Sequence, residues 1–220
     1  MKTRRIALIH ATPIAIEPIR AAFTQFWPQA RVTHLLEDSL APDLAAAGRI
    51  DDRMLDRFAA LARYSESCGA DAVLFTCSAF GAAIEAARDR VAIPVLKPNE
   101  AMLDEALTAG GRIGLLATFE PSIPSMVQEL EDIAAARKLD VSIVPSVVPD
   151  ALAAMHAGRT RDHDAMIAAA AERLNGCSVL VLSQFSMAAA AALIPERSGR
   201  KVVTSPHSAV MRLKQMLHAD

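Results

Sequence analysis

Short apolar blocks recur along the chain, separated by stretches of helix length. The blocks predict strands near 4–10, 31–36, 72–76, 94–97, 112–117, 141–145, 178–183 and 202–204. The spacing of apolar positions elsewhere predicts helices near 16–26, 51–68, 79–89, 99–109, 121–138, 160–175, 185–194 and 207–218. Strands that alternate with helices imply parallel sheets with helices on both faces. The blocks are short and free of polar interruptions, as strands covered on both faces require.

The pattern then repeats itself. Arg5-Ile6-Ala7-Leu8-Ile9 matches Arg112-Ile113-Gly114-Leu115-Leu116 at an offset of 107 (112 − 5). Ala47-Gly48-Arg49 matches Ala157-Gly158-Arg159. Gly69 with the block 72–75 matches Gly176 with 179–182, and Pro94-Val95-Leu96 matches Lys201-Val202-Val203. Matches in register, each at the same point of an element, indicate a duplication. The expected fold is therefore α/β, with two pseudo-symmetric Rossmann-like halves of parallel sheet. Residues 1–100 with 206–220 form one half and 101–205 the other, with a cleft between them. Ligands of open α/β sheets bind beyond the C-terminal ends of the strands, so the residues after each strand carry the candidate chemistry.

Composition narrows the class. Of 220 residues, 52% are hydrophobic, enough for a packed core and too many for a disordered chain. The formal charge of −2 comes without a basic stripe, so no nucleic-acid partner is expected. The apolar run after the N-terminal basic residues, Ile6 to Ile9, is too short for a secretory signal, and no stretch is long enough to span a membrane. Cys68, Cys77 and Cys177 are odd in number and lack metal-ligand spacing, which points to free thiols in a reducing, cytoplasmic setting.

The strand ends are rich in hydroxyls. His10-Ala11-Thr12-Pro13 follows the first strand, and Ala117-Thr118-Phe119-Glu120-Pro121 stands in its place in the second half. Thr76-Cys77-Ser78-Ala79-Phe80-Gly81 corresponds to Ser183-Gln184-Phe185-Ser186-Met187. Each loop runs into a helix, where hydroxyls and free N–H groups suit an anion. A small carboxylate fits better than a nucleotide, because no glycine-rich phosphate loop follows a strand. Thr12, Ser78, Thr118 and Ser186 are the expected hydroxyl donors. Cys77 at a helix N-terminus is expected to have a lowered pKa and to act as base or nucleophile; the alternative is a small buried hydrophobe. Cys68 and Cys177 read as filler. His10, His207 and Glu120 are further acid/base candidates, each with a structural or capping alternative. His163 reads as solvated, and His34 and His156 show no partner. Phe80, Phe119 and Phe185 suggest a partly apolar pocket.

Taken together, DAVLFTCSAFG, RIGLLATFEPS and VVTSPHSAVMRL resemble the aspartate/glutamate/hydantoin racemase superfamily, which includes maleate isomerase and arylmalonate decarboxylase. The resemblance spans nearly the whole chain. It implies a cofactor-free site in which one cysteine per half moves a proton at the carbon next to a carboxylate. Cys77 stands at the first cysteine position. Gln184 stands at the second, a departure from the two-thiol pattern. Arylmalonate decarboxylase keeps one cysteine in the second half, so this chain is its mirror case.

Three readings follow. The first is a racemase or isomerase of a small amino-acid or hydantoin-like acid, with His10, Glu120 or His207 as the second acid/base. The second is a one-thiol decarboxylase or lyase acting on a malonate-type acid. In either, the expected substrate-binding residues are Thr12, Ser78, Thr118, Gln184, Phe185 and Ser186. The third is a non-catalytic binder of a small carboxylate. None of them calls for a metal or other cofactor, and a homo-oligomer is compatible with each.

Overall fold

A computed structural model describes residues 3–196 and 200–218. In chain order the elements are β1 (Arg5–His10), α1 (Ile16–Phe26), β2 (Arg31–Leu36), α2 (Leu40–Ala47), α3 (Asp52–Ser67), β3 (Ala72–Phe75), α4 (Gly81–Arg88), β4 (Val95–Leu96) and α5 (Glu100–Ala109). They continue with β5 (Gly111–Ala117), α6 (Ile123–Ala136), β6 (Val141–Val147), α7 (Pro149–His156), α8 (Thr160–Arg173), β7 (Val179–Leu182), β8 (Lys201–Thr204) and α9 (Ser205–His218). The chain divides into two compact units, Met1–Glu100 with Ala209–Asp220, and Ala101–Ser208.

Each unit holds a four-stranded parallel sheet, ordered β2-β1-β3-β4 in unit 1 and β6-β5-β7-β8 in unit 2. The α/β class and the paired sheets are those expected from the sequence. The registers carry the duplication into three dimensions. Ile6 pairs with Ala72 as Ile113 pairs with Val179, and Val73 with Val95 as Leu180 with Val202.

Sequence decides which strands lie inside. The central strands β3 and β7, AVLF and VLVL, are buried at every position. A strand apolar on both faces is stable only between two helical layers. The edge strands β2 and β6 carry polar residues and are only partly buried. Pro145 sits in β6, where an edge position tolerates its missing N–H.

In unit 1 one sheet face packs Ala7, Ile9, Val73 and Phe75 with Met54, Phe58 and Ile84 of the helices. Phe58 stacks on Phe75 and lies against Phe80, both at 4.9 Å between ring centres. In unit 2 the sheet is covered on one face through Leu180, Leu182, Ile167 and Met187, and on the other through Ile113, Val181, Met102 and Leu130.

Two helices were not anticipated. α2 and α7 are eight-residue, alanine-rich segments, too short to show an apolar stripe. Both end at a glycine in the left-handed region, Gly48 (φ 67°) and Gly158 (φ 74°). The matched Ala-Gly-Arg triplets are these helix ends. The segment expected as a helix at 185–194 is instead a 3₁₀ helix, Phe185–Leu193. Side chains three apart eclipse in that geometry, and the run Ala188–Ala192 makes this cheap.

Gly114 in β5 has no room for a side chain. A Cβ there would lie 2.8 Å from Leu180, 2.9 Å from Leu174 and 3.3 Å from Cys177. Overpacking of this kind costs about 1–3 kcal/mol. Gly114→Val should therefore lower the midpoint of thermal unfolding by several degrees, whereas an unchanged midpoint would show that these three neighbours yield freely.

Candidate functional site

In each unit the site residues are set by where the ladder between the first and third strands stops. Its last rung is Thr76 N–H to Ile9 C=O at 3.0 Å in unit 1, and Ser183 N–H to Leu116 C=O at 3.1 Å in unit 2. The next residue stays extended and opens a 3₁₀ segment. In unit 1 this is Cys77 (φ −122°, ψ 120°), and in unit 2 Gln184 (φ −122°, ψ 146°). The two positions are structural equivalents.

The thiol of Cys77 is half-buried and packs against the unit 1 core. Burial pushes its pKa above the ordinary value of 9.0, and a hydrogen bond from the Ala79 N–H offsets this only in part. The direction is the reverse of that expected for a cysteine at a helix N-terminus. The 3₁₀ turn Ser78–Phe80 separates it from the start of α4, and desolvation outweighs the N–H groups that favour a thiolate. In the free protein Cys77 is a neutral thiol that holds a proton. Ser78 is exposed, and Thr12 is half-buried without a capping bond.

Behind Cys77 lies an arrangement that the sequence did not announce. His10 is fully buried. Its Nδ1 lies 2.8 Å from Thr76 Oγ1, and its Nε2 lies 3.0 Å from Nδ1 of His34. The two imidazoles overlap, 5.2 Å apart and 16° from parallel. His34 thus has a partner after all. It sits on β2 two residues before Leu36, which pairs with His10, so both rings project from one face of the sheet. Burial first, and His34 second, push His10 down to about 4. Both ring nitrogens are engaged, which makes His10 a neutral hydrogen-bonded residue and a poor proton carrier near neutral pH. His34 is lowered too, by burial and then by Arg20.

Unit 2 solves the same position differently. Oε1 of Gln184 lies 2.7 Å from the Thr118 nitrogen and 2.9 Å from Thr118 Oγ1. Thr118 is buried, and so is Ser183, whose hydroxyl has no hydrogen-bond partner among the described residues. Ser186 is half-buried. Phe185 is buried, as is Phe80, so these two rings are core rather than pocket lining, while Phe119 is about half exposed. Glu120 is exposed at the start of a 3₁₀ turn, Glu120–Ser122. His207 lies half-buried in the first turn of α9. It is one of the groups near Glu105. Burial raises the Glu105 carboxyl, but hydrogen bonds from Lys201 and Ser208 and the charges of Lys201 and His207 leave it low overall.

The candidate hydroxyls are not symmetry mates. Thr12 and Phe119 each precede a 3₁₀ turn, so Thr118 corresponds to Ala11, and Ser78 to Phe185. His163, read as solvated, is buried and bonded to Asp164 at 2.8 Å. Its spacing from Ile167 and Ala170 puts it on the inner face of α8, a helical periodicity that was present in the sequence. Cys68 is exposed at the end of α3, and Cys177 is buried beside Gly114. Among the described residues no three His, Cys, Asp or Glu side chains gather as a metal site, and no helix is long and apolar enough to cross a membrane.

Comparison with known proteins adds three observations. A model of the Asp/Glu/hydantoin racemases matches residues 9–213. No curated protein sequence matches the chain. Solved structures share its fold. Glutamate racemase from Francisella tularensis, in complex with D-glutamate, is 14% identical with a TM-score of 0.65, over 100% of this chain and 82% of that one. Allantoin racemase from Pseudomonas fluorescens is 17% identical with a TM-score of 0.65, over 98% and 92%. A variant of arylmalonate decarboxylase in a sulfate-associated form is 19% identical with a TM-score of 0.66, over 95% and 92%.

The buried His10 sets an acid limit. Its folded value, about 4, lies below the ordinary 6.5, so the unfolded chain takes up the proton first. Stability tied to this group is complete above pH 6.5 and is lost as pH falls from there toward 4. The gap is worth roughly 3 kcal/mol. Denaturant titrations from pH 7 to 4 should show a steeper loss for the wild-type chain than for His10→Asn. Parallel slopes would mean that His10 is already charged in the fold.

Proposed function

The chain belongs to the Asp/Glu/hydantoin racemase family, and on that premise we propose a cofactor-independent enzyme that acts at the carbon next to the carboxylate of a small amino-acid or hydantoin-like acid, with Cys77 as its acid/base group. One observation carries the reading. The Cys77 thiol stands at the end of a central strand, extended, half-buried and hydrogen-bonded by a backbone N–H. A strand end of this kind is where α/β sheets present reacting groups. Within unit 1 the hydroxyls of Thr12 and Ser78 are neutral donors suited to a carboxylate; within unit 2 the Gln184 amide and the Ser186 hydroxyl are the counterparts, with Thr118 holding the amide.

Two findings favour a second reading, the one-thiol decarboxylation of a malonate-type acid. Gln184 at the equivalent position has no proton to exchange with carbon, and burial keeps Cys77 protonated. In that reaction the bond to the departing CO2 breaks and its electron pair becomes an enolate. The thiol proton then forms the new C–H bond, leaving a thiolate that water reprotonates.

Amino acids, hydantoins and substituted malonates incubated in D2O and followed by NMR test both readings. Cys77→Ala should lose at least about a hundredfold in exchange or CO2 release. Full activity in that variant would leave Cys77 with a packing role and sink the proposal. The pH profile separates the two chemistries. A thiol that donates is active below its pKa, so decarboxylation should hold level past pH 9, the ordinary thiol value, because burial moves the group up. A thiolate that abstracts a proton should instead gain activity through the same range.

A further inference from the structure

The end of unit 1 away from Cys77 carries a feature that the chemistry above does not use. The strands of its sheet run parallel, so Cys77 follows one edge and Arg4, just before β1, stands at the other. A six-residue strand such as β1 spans roughly 20 Å, which separates the two edges. At the Arg4 edge lies a cavity of about 770 Å³, bounded by Arg4, Trp27 and the last two turns of α9. That volume falls in the range of small-molecule sites. Every residue that lines it belongs to unit 1.

The sequence of α9 builds one wall. Val210, Leu213 and Leu217 are buried. Met211, Lys214, Gln215 and His218, spaced i, i+3, i+4 and i+7, share the adjoining face and line the cavity. Trp27, the chain's one tryptophan, closes the other side. Its indole is buried, stacks on Phe23 and meets the His218 ring edge-on, 5.3 Å between centres. An indole and a thioether make an apolar surface that favours an aromatic ring.

The charge around it has one sign. Lys214 Nζ donates to the Phe26 C=O at 3.2 Å and to no other group among the described residues, so two of its three N–H donors stay available. Arg4 Nη2 donates to the Leu217 C=O at 2.8 Å, and its Nη1 lies 3.4 Å from Asp71 Oδ1. Both cations cap helix ends, those of α1 and α9, which explains where they stand. Capping does not explain a cavity beside them that is walled by an indole and, among the described residues, lined by no carboxylate. We propose that this cavity binds a small aromatic carboxylate, its ring against Trp27 and Met211 and its carboxylate on Lys214, with Arg4 alongside. The site shares no residue with the Cys77 strand end and does not depend on the chemistry there.

Trp27 serves as the reporter, since no other tryptophan contributes to the fluorescence of the full chain. That fluorescence should change and saturate as 4-phenylbutyrate is added. No change, together with no heat of binding by calorimetry, would overturn the site. The neutral counterpart, 4-phenylbutanamide, should bind at least about tenfold more weakly, and equal affinity would overturn the role given to the charges. Lys214→Met keeps an apolar stem and removes the charge. It should weaken 4-phenylbutyrate roughly ten- to a hundredfold, whereas wild-type affinity in this variant would overturn the proposal. Because the change also removes the bond to Phe26, Gln215→Glu gives a second variant. Gln215 is exposed and hydrogen-bonds no described residue, so this variant should fold as the wild type does. It sets a carboxylate in the lining and should weaken binding at least about threefold. Should Lys214→Met fail to fold, wild-type affinity in Gln215→Glu overturns the proposal in the same way. Cys77→Ala should bind 4-phenylbutyrate like the wild type; loss of binding there would move the ligand to the strand end and overturn the assignment to this cavity.

Discussion

The placement of the candidate site residues depends on one backbone hydrogen bond in each unit, the last rung between the first and third strands. Thr76 N–H to Ile9 C=O and Ser183 N–H to Leu116 C=O end the two ladders at the same register. Because the rung holds the strand extended up to its final residue, the side chain after it leaves the sheet in a set direction. Because the chain then turns at once into a 3₁₀ segment, that side chain stands beside backbone N–H groups that no strand uses. The layers of apolar packing on both faces keep the rung dry and give the strand ends their rigidity.

On that common frame the two units have diverged in a few positions. Cys77 with Ala11 became Gln184 with Thr118, and His10 with Thr76 became Ala117 with Ser183. Each pair is internally consistent. A half-buried thiol stays protonated, because desolvation outweighs its one backbone hydrogen bond. An amide needs donors for its oxygen, and Thr118 supplies two. His10 meets the hydroxyl of Thr76, whereas alanine in its place leaves Ser183 unmet. Burial is the larger effect at Cys77 and His10, raising the thiol and lowering the imidazole, since each is driven toward its neutral form.

The outer histidine shows how a surface residue reaches the site. His34 is exposed on an edge strand, yet its Nδ1 lies 3.0 Å from Nε2 of the fully buried His10. Edge strands alternate in burial, so a polar residue there can face solvent on one side and still touch the neighbouring strand's side chain. The contact runs diagonally across neighbouring parallel strands, and neither residue's sequence neighbourhood shows it.

The sequence by itself determined the α/β class, the strands and the internal repeat, because these follow from local apolar periodicity and from matches in register that need no knowledge of contacts. It also put Cys77 and Gln184 at equivalent strand ends. It missed α2 and α7, whose eight residues carry too little periodicity, although their glycine ends stood in the repeat. Only the tertiary structure decided the ionisation of Cys77, the His34 partner of His10 and the engagement of Thr118 by Gln184. Those properties depend on desolvation and on side chains that meet across strands, 24 residues apart for the histidine pair and 66 for the threonine and glutamine. Local spacing carries no record of either.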